Sequence, residues 1–113
     1  MGDERAELVP GTLDMLVMKA VSAESLHGFG IARWIEATTG DRLTVEEGAL
    51  YPALHRMEKR GALTSEWRKT ERGRRARFYR LTAQGRRELV NLRARWESSA
   101  WAVRQILDAE VES

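Results

Sequence analysis

"EEGALYPALHRMEKRGAL", residues 46 to 63, reads as one helix that carries a proline near its start and stops at a glycine. Leu50, Leu54 and Met57 recur at helical spacing and point inward. Tyr51 and His55, one turn apart, share a different face, with Gly48 and Pro52 along the same edge. Pro52 has no N–H, and its ring crowds the carbonyl of Gly48, so it is tolerated in the first turns only and predicts a bend or tightening there. Thr44 and Glu47 are available as a capping box, which places the start between Thr44 and Glu46, and Gly61 ends the helix.

Downstream the period changes. "LTSEW" puts Leu63, Ser65 and Trp67 on one side of a strand, and "ARFYRL" gives a second strand after "KTERGRR", a turn built on Gly73. From Thr82, a good N-cap, the chain reads as helix to about Glu110, roughly 28 residues or ~40 Å at 1.5 Å per residue. Leu89, Leu92, Trp96, Ser99, Val103 and Ile106 recur there at alternating three- and four-residue steps, the spacing of a coiled-coil seam. So long a stripe has no partner within so short a chain, which predicts pairing with a second copy.

Upstream, Pro10, Gly11 and Thr12 look like a helix start, and "LDMLVMKAVS" puts Leu13, Leu16, Val17, Ala20 and Val21 on one stripe, with Met15 and Met18 forming a second apolar face. A helix apolar on two sides is ordinary at a dimer interface, so Leu13 and Val17 join the seam residues as interface candidates. A second helix opens at Gly28, puts Phe29, Ile31, Ala32 and Ile35 on one face, and stops with Gly40 at its C′ position. His27, just before it, reads as a capping or packing residue. Trp34 and Trp67 read as packing residues.

The 113 residues form one small mainly α domain with a β-hairpin, too small to bury surface generously, so a second copy is a natural source of extra core. With no cysteine there is no disulfide or thiolate chemistry, and the cytoplasm is the expected compartment. The apolar run at 13 to 21 follows Asp3, Glu4 and Glu7 and is interrupted by Asp14 and Lys19, so it reads neither as a signal peptide nor as a membrane span. With two histidines and no cysteine, no metal site or other cofactor is expected. Glu46 and Glu47 are explained by a helix start, and Ser and His in "SAESLHG" lack a third partner, so enzymatic chemistry has no support.

The net charge is only +2, but its placement is uneven. From His55 to Arg87 there are twelve Lys and Arg against three acids, a segment of +9, which leaves −7 for the rest. One face seeks a polyanion. Three helices followed by a basic hairpin is the order of a winged helix-turn-helix, whose third helix enters the DNA major groove while the hairpin, or wing, touches flanking backbone. On that reading the DNA-contact candidates are Gly48, Ala49, Tyr51, Pro52, His55, Arg56 and Lys59 on the helix and Arg72, Arg74, Arg75, Arg77 and Tyr79 in the wing. Lys, Arg and hydroxyl groups would position the protein on phosphates, and a wing-tip arginine suits the minor groove.

"GALYPALHRMEKRGAL" and "RRARFYRLTAQGRREL" together resemble the PadR family of bacterial transcriptional regulators. The shared elements are a Leu-Tyr-Pro motif (Leu50, Tyr51, Pro52) with Leu54, Arg56 and Met57, and a wing ending in Arg77, Phe78, Tyr79, Leu81, Thr82 and Gly85. "HGFGI" at 27 to 31 is similar to the family's His-Gly-Tyr-x-Ile, and the match covers residues 11 to 90. Phe78 and Met57 depart mildly from the family's Tyr and Leu. The resemblance implies a homodimeric repressor on double-stranded DNA, with residues 1–81 as the DNA-binding domain, the first helix adding to the dimer, and residues 82–113 as the dimerisation helix of the short subfamily. Some relatives sense drugs or aromatic acids in a dimer-interface pore, which makes Trp96, with Met15 and Met18, the candidate effector slot; the plainer alternative is that Trp96 fills the seam. The alternative function is a winged-helix protein–protein adaptor without sequence-specific DNA binding. An RNA-binding role lacks an aromatic stacking platform.

Overall fold

A computed structural model describes Leu8 and residues 11–112; Pro10, expected at the first helix start, lies outside them. The order is α1 (Leu13–Ala20), β1 (Leu26–His27), α2 (Gly28–Thr38), α3 (Glu47–Lys59), β2 (Leu63–Lys69), β3 (Arg75–Leu81) and α4 (Ala83–Asp108). The strands form one antiparallel sheet in the order β1-β3-β2, the small sheet of a winged helix. Periodicity does not reveal β1, because two residues carry no period; it forms because β3 offers a free edge, where Leu26 pairs Tyr79 and His27 pairs Phe78.

α1 packs against α2, α3 and α4 inside the protomer, while Met15 is only partly buried. Val17 and Met18 are fully buried beside Ile31, Leu50, Leu54 and Met57. This corrects the placement of Val17 at a dimer interface and of Met18 in an effector slot. Burying each side chain stabilises the fold by about 1.5–3 kcal/mol, and a protomer that turned them toward a second copy would lose that. Leu13, Leu89 and Leu92 are partly buried against the same core.

The helix ends follow local chemistry. His27 Nδ1 accepts the Gly30 N–H at 2.9 Å, so His27 caps α2 as its position suggests. α2 stops one residue before Thr39, with Gly40 at C′. The Thr44–Glu47 capping box does not form: Glu46 is the N-cap, without a side-chain bond, and Thr44 stands two residues outside the helix, out of reach of its first turn. The approach to α3 is fixed instead by Val45, which is buried and donates its N–H to Glu36 Oε2 at 3.2 Å. At the other end Gly61 N–H reaches Glu58 C=O and Ala62 N–H reaches Met57 C=O, at 3.1 and 2.9 Å, the paired bonds that close a helix on a left-handed residue.

The junction before α4 is closely packed. Thr82 Oγ1 accepts the Gly85 N–H at 3.0 Å, and its hydroxyl lies 2.6 Å from Gly61 C=O. The Thr82 N–H donates to Ala62 C=O at 3.1 Å. A Cβ on Gly85 would overlap that same carbonyl oxygen and stand 2.5 Å from Leu81 Cδ1. Gly85→Ala therefore forces backbone apart. We expect it to destabilise the protein by roughly 3 kcal/mol, the upper range for overpacking, read as a lower urea midpoint; an unchanged midpoint would show that the junction is loose.

Candidate nucleic-acid interface

α3 buries Leu50, Ala53, Leu54 and Met57, which by helical period turns Gly48, Pro52, His55 and Lys59 directly outward, with Tyr51 toward the hairpin. Pro52 lies within the helix, which continues unbroken to Lys59. The carbonyl it leaves without a donor belongs to Gly48, on the exposed face where water can reach it. Tyr51 is 48% exposed, and its ring lies over Gly28, where a Cβ would come within 2.9 Å of Cε1 and Oη. The glycine at the start of α2 thus makes room for the tyrosine of α3.

The hairpin continues this surface. Leu63↔Leu81 and Ser65↔Tyr79 close its inner end, and Lys69↔Arg75 is its last pair before the turn at Thr70–Arg74. Burial falls along β2 from Leu63, which is buried, through Thr64 and Ser65, partly buried, to an exposed outer half. Trp67 is 55% exposed, with the Arg75 and Arg77 guanidiniums 5.7 and 5.6 Å from its ring. The expectation that Trp67 and Trp34 are packing residues is corrected accordingly: Trp67 lies beyond the core on the projecting part of the wing, and Trp34, 39% exposed, borders an open groove between α1 and α2. On the wing's other face Arg68 stacks 4.3 Å over Phe78, which meets His27 at 5.0 Å.

The arginines divide by what they touch. Arg60 joins three helices, donating from Nε to Glu88 at 3.1 Å and from Nη2 to Asp14 at 3.2 Å; its hydrogen bond to Glu88 is the main influence raising the guanidinium above its ordinary value. Arg56, a DNA-contact candidate, lies 3.5 Å from Asp14. Arg77, another, donates from Nε to Ser65 Oγ at 2.7 Å and lies 3.4 Å from Glu58 Oε2, so it ties the hairpin to α3. Among the described residues no ion pair involves Lys59, Lys69, Arg72, Arg74 or Arg75. Tyr79 is corrected outright: it is 7% exposed and belongs to the core, because its register opposite Ser65 turns it under the sheet. The arginines around it, Arg77 and Arg80, gave no sign of that.

The comparisons with known proteins meet this geometry. Residues 17–91 match the model of the transcriptional regulator PadR-like family. The chain belongs to that family. It is similar to a PadR family transcriptional regulator from Eggerthella lenta at 30% identity, with 88% of this chain and 85% of that one covered and a TM-score of 0.76. A PadR-like transcription factor from Bacteroides fragilis matches at 30% identity over 85% and 90% of the two chains, with a TM-score of 0.69. Transcriptional regulator Rv3488 of Mycobacterium tuberculosis is 46% identical over 56 residues, half of this chain and 51% of that one. As a PadR-family member the chain is a transcriptional regulator and not an enzyme. No helix among the described residues is long and apolar enough to cross a membrane.

Burial, followed by the nearby Glu58 carboxylate, pushes the Tyr79 phenol above its ordinary value of 10. Folding therefore favours the neutral phenol, and its contribution to stability is full below pH 10 and lost as pH rises through the folded-state value. In an alkaline absorbance titration, Tyr79→Phe should remove a late-rising phenolate signal. If the signal removed rises at the ordinary tyrosine value, the buried placement is wrong.

Proposed function

We propose that this PadR-family protein is a cytoplasmic, homodimeric repressor that reads a pseudo-palindromic DNA site with α3 in the major groove and β2–β3 as the wing. The observation that carries the proposal is the concentration of uncompensated cations on one continuous surface. Lys59 on α3 and Lys69, Arg72, Arg74 and Arg75 on the wing have no carboxylate partner among the described residues, whereas Arg56, Arg60 and Arg77 do. Such cations repel one another until a polyanion neutralises them.

Gly48 supports the reading. It is exposed, its φ is not positive, and a Cβ there would meet nothing within 4 Å. Glycine inside a helix costs about 1 kcal/mol relative to alanine, and nothing in the protomer requires it. Close approach by another molecule to the first turn of α3, followed by the small Ala49, does. Tyr51 then offers its hydroxyl, and His55 a ring nitrogen, to phosphate or base edge.

Residues 1–81 serve as the DNA-binding part and 82–113 as the pairing helix. Trp96, Val103 and Ile106 on α4 are 41%, 56% and 76% exposed, and with Ser99 they form the stripe that a second copy would cover. Two recognition helices related by a two-fold axis would read half-sites about one DNA turn, ~34 Å, or a small multiple of it apart.

The deciding experiment incubates the protein with sheared DNA of its source organism at near-physiological salt and sequences what is retained. A shared two-fold sequence near a promoter, with transcription from that promoter falling as protein is added, is expected. Uniform retention that disappears with salt would favour the adaptor function. On the retained sequence, Arg75→Ala should lower the salt slope by about 0.9, one phosphate, and Tyr51→Ala should weaken binding by roughly fivefold, about the contribution of one hydrogen bond. If neither variant changes affinity or slope, the assigned face is wrong.

Pairing through α4 has its own test. Ile106→Glu places a charge in the stripe and should convert a dimer to monomer in sedimentation velocity at micromolar concentration. A dimer that survives both this change and Val103→Glu would move the interface elsewhere.

A further inference from the structure

Glu58 sits among the cations as one of only three acids in the segment from His55 to Arg87. A carboxylate on a surface that meets DNA repels phosphate, so its presence calls for a structural reason. Its Oε2 accepts the Ser65 hydroxyl at 2.6 Å and faces Arg77 Nη2 at 3.4 Å, while Arg77 Nε donates to Ser65 Oγ at 2.7 Å. The three side chains form a closed ring of contacts between α3 and both strands of the hairpin. The Ser65 hydroxyl gives its proton to Glu58 and takes one from Arg77, so both of its roles are used.

The location of this ring matters as much as its bonds. Ser65 is the last partly buried residue of β2; everything beyond it on that strand is exposed. Arg77 faces Trp67, the next residue outward on the same side. The ring therefore stands where the hairpin leaves the core. From Ser65 to the turn is a lever of roughly 15 Å at about 3.3 Å per residue. A tilt of about 10° at its base moves the tip by about 2.5 Å, more than a hydrogen bond to a phosphate tolerates.

We infer that Glu58, Ser65 and Arg77 form a clasp that fixes the angle of the wing to the recognition helix, and that Glu58 raises DNA affinity by positioning the wing although its own charge opposes DNA. The inference rests on the DNA-binding reading above. Glu58 is a positioning residue: it holds Arg72, Arg74 and Arg75 where they engage backbone without touching the DNA itself. Arg77 serves the clasp first.

The test compares wild type with Glu58→Ala, Glu58→Gln and Ser65→Ala. Binding to a labelled mixed-sequence duplex of about 30 base pairs is measured across a salt series, a length that spans close to three DNA turns. Charge alone predicts tighter binding for Glu58→Ala. The clasp predicts weaker binding, by roughly three- to tenfold, the scale of one charge-assisted contact at a partly exposed site. The salt slope should fall by about 1 to 2 as the wing loses phosphates. A variant that merely folded less well would lose affinity with an unchanged slope. Glu58→Gln keeps an acceptor for Ser65 and should fall between the two.

A second readout needs no DNA. Amide ¹⁵N order parameters at residues 70–74 should drop from near the rigid value of about 0.85 to below about 0.7 in Glu58→Ala, with those of α3 unchanged. Unchanged wing order parameters overturn the clasp whatever the DNA result. Tighter DNA binding by Glu58→Ala, or weaker binding with an unchanged slope, overturns its role in recognition. Wild-type protein that binds neither this duplex nor any sequence retained from sheared DNA would refute the DNA-binding reading itself, an outcome that the order parameters separate from failure of the clasp.

Discussion

The close approach of Gly85 to Ala62 is the constraint on which the rest of the architecture turns. It brings the end of α3, the start of β2, the end of β3 and the start of α4 to one point. Any side chain at 85 would push α4 away, and Thr82 would lose the carbonyls of Gly61 and Ala62 that it now touches. Gln84 adds a bond to Arg60 C=O at 2.7 Å, and Arg60 in turn reaches Glu88 and Asp14. Backbone hydrogen bonds close the junction at its centre, and an ion-pair network encloses it from outside. The network is partly exposed and contributes little alone; the hydrogen bonds of Thr82 to Gly61 and Ala62 contribute more.

From that junction two elements project. The hairpin leaves the core after Ser65, and α4 leaves it after Leu92, beyond which nearly every side chain faces outward. Neither projection is stabilised by burial in the protomer, so each needs another source of order. The wing finds it in the Glu58–Ser65–Arg77 ring and in guanidiniums stacked on Trp67 and Phe78. α4 has its internal bonds and at most single-turn pairs such as Arg93–Glu97. An apolar stripe on a helix so sparsely supported is the physical ground for expecting a second copy.

Regular periodicity made the four helices and the hairpin legible in the sequence, because each carries apolar residues at one period, whether the protomer buries them or, as along α4, leaves them exposed. Legibility failed where contacts were set by tertiary placement. β1 exists only because β3 has an open edge. Val17 and Met18 look like two exposed-face candidates until α2, α3 and α4 close around α1. Tyr79 follows a run of arginines and looked like part of the basic surface, yet the strand register turns it inward. Arg77 and Arg72 are indistinguishable as letters; only the position of Glu58 separates the engaged residue from the free one. The outward face of α3 was readable, since Leu50, Leu54 and Met57 fix the inward one, and so was the role of His27 as a cap.

The same junction links α3 to α4. α3 ends at Lys59, and Ala62, three residues later, accepts the backbone N–H of Thr82, the residue that caps α4. The chain passes through the hairpin between α3 and α4, and the facing ends of the two helices are held together by hydrogen bonds and a glycine contact. In a dimer joined through α4, the separation of the two α3 helices is set by where the stripes on α4 meet and by this junction, not by freedom in the chain. A change in crossing angle between the two α4 helices of such a dimer would then shift the two α3 helices. Gly85 keeps this junction close, because no larger side chain permits the backbone contact with Ala62.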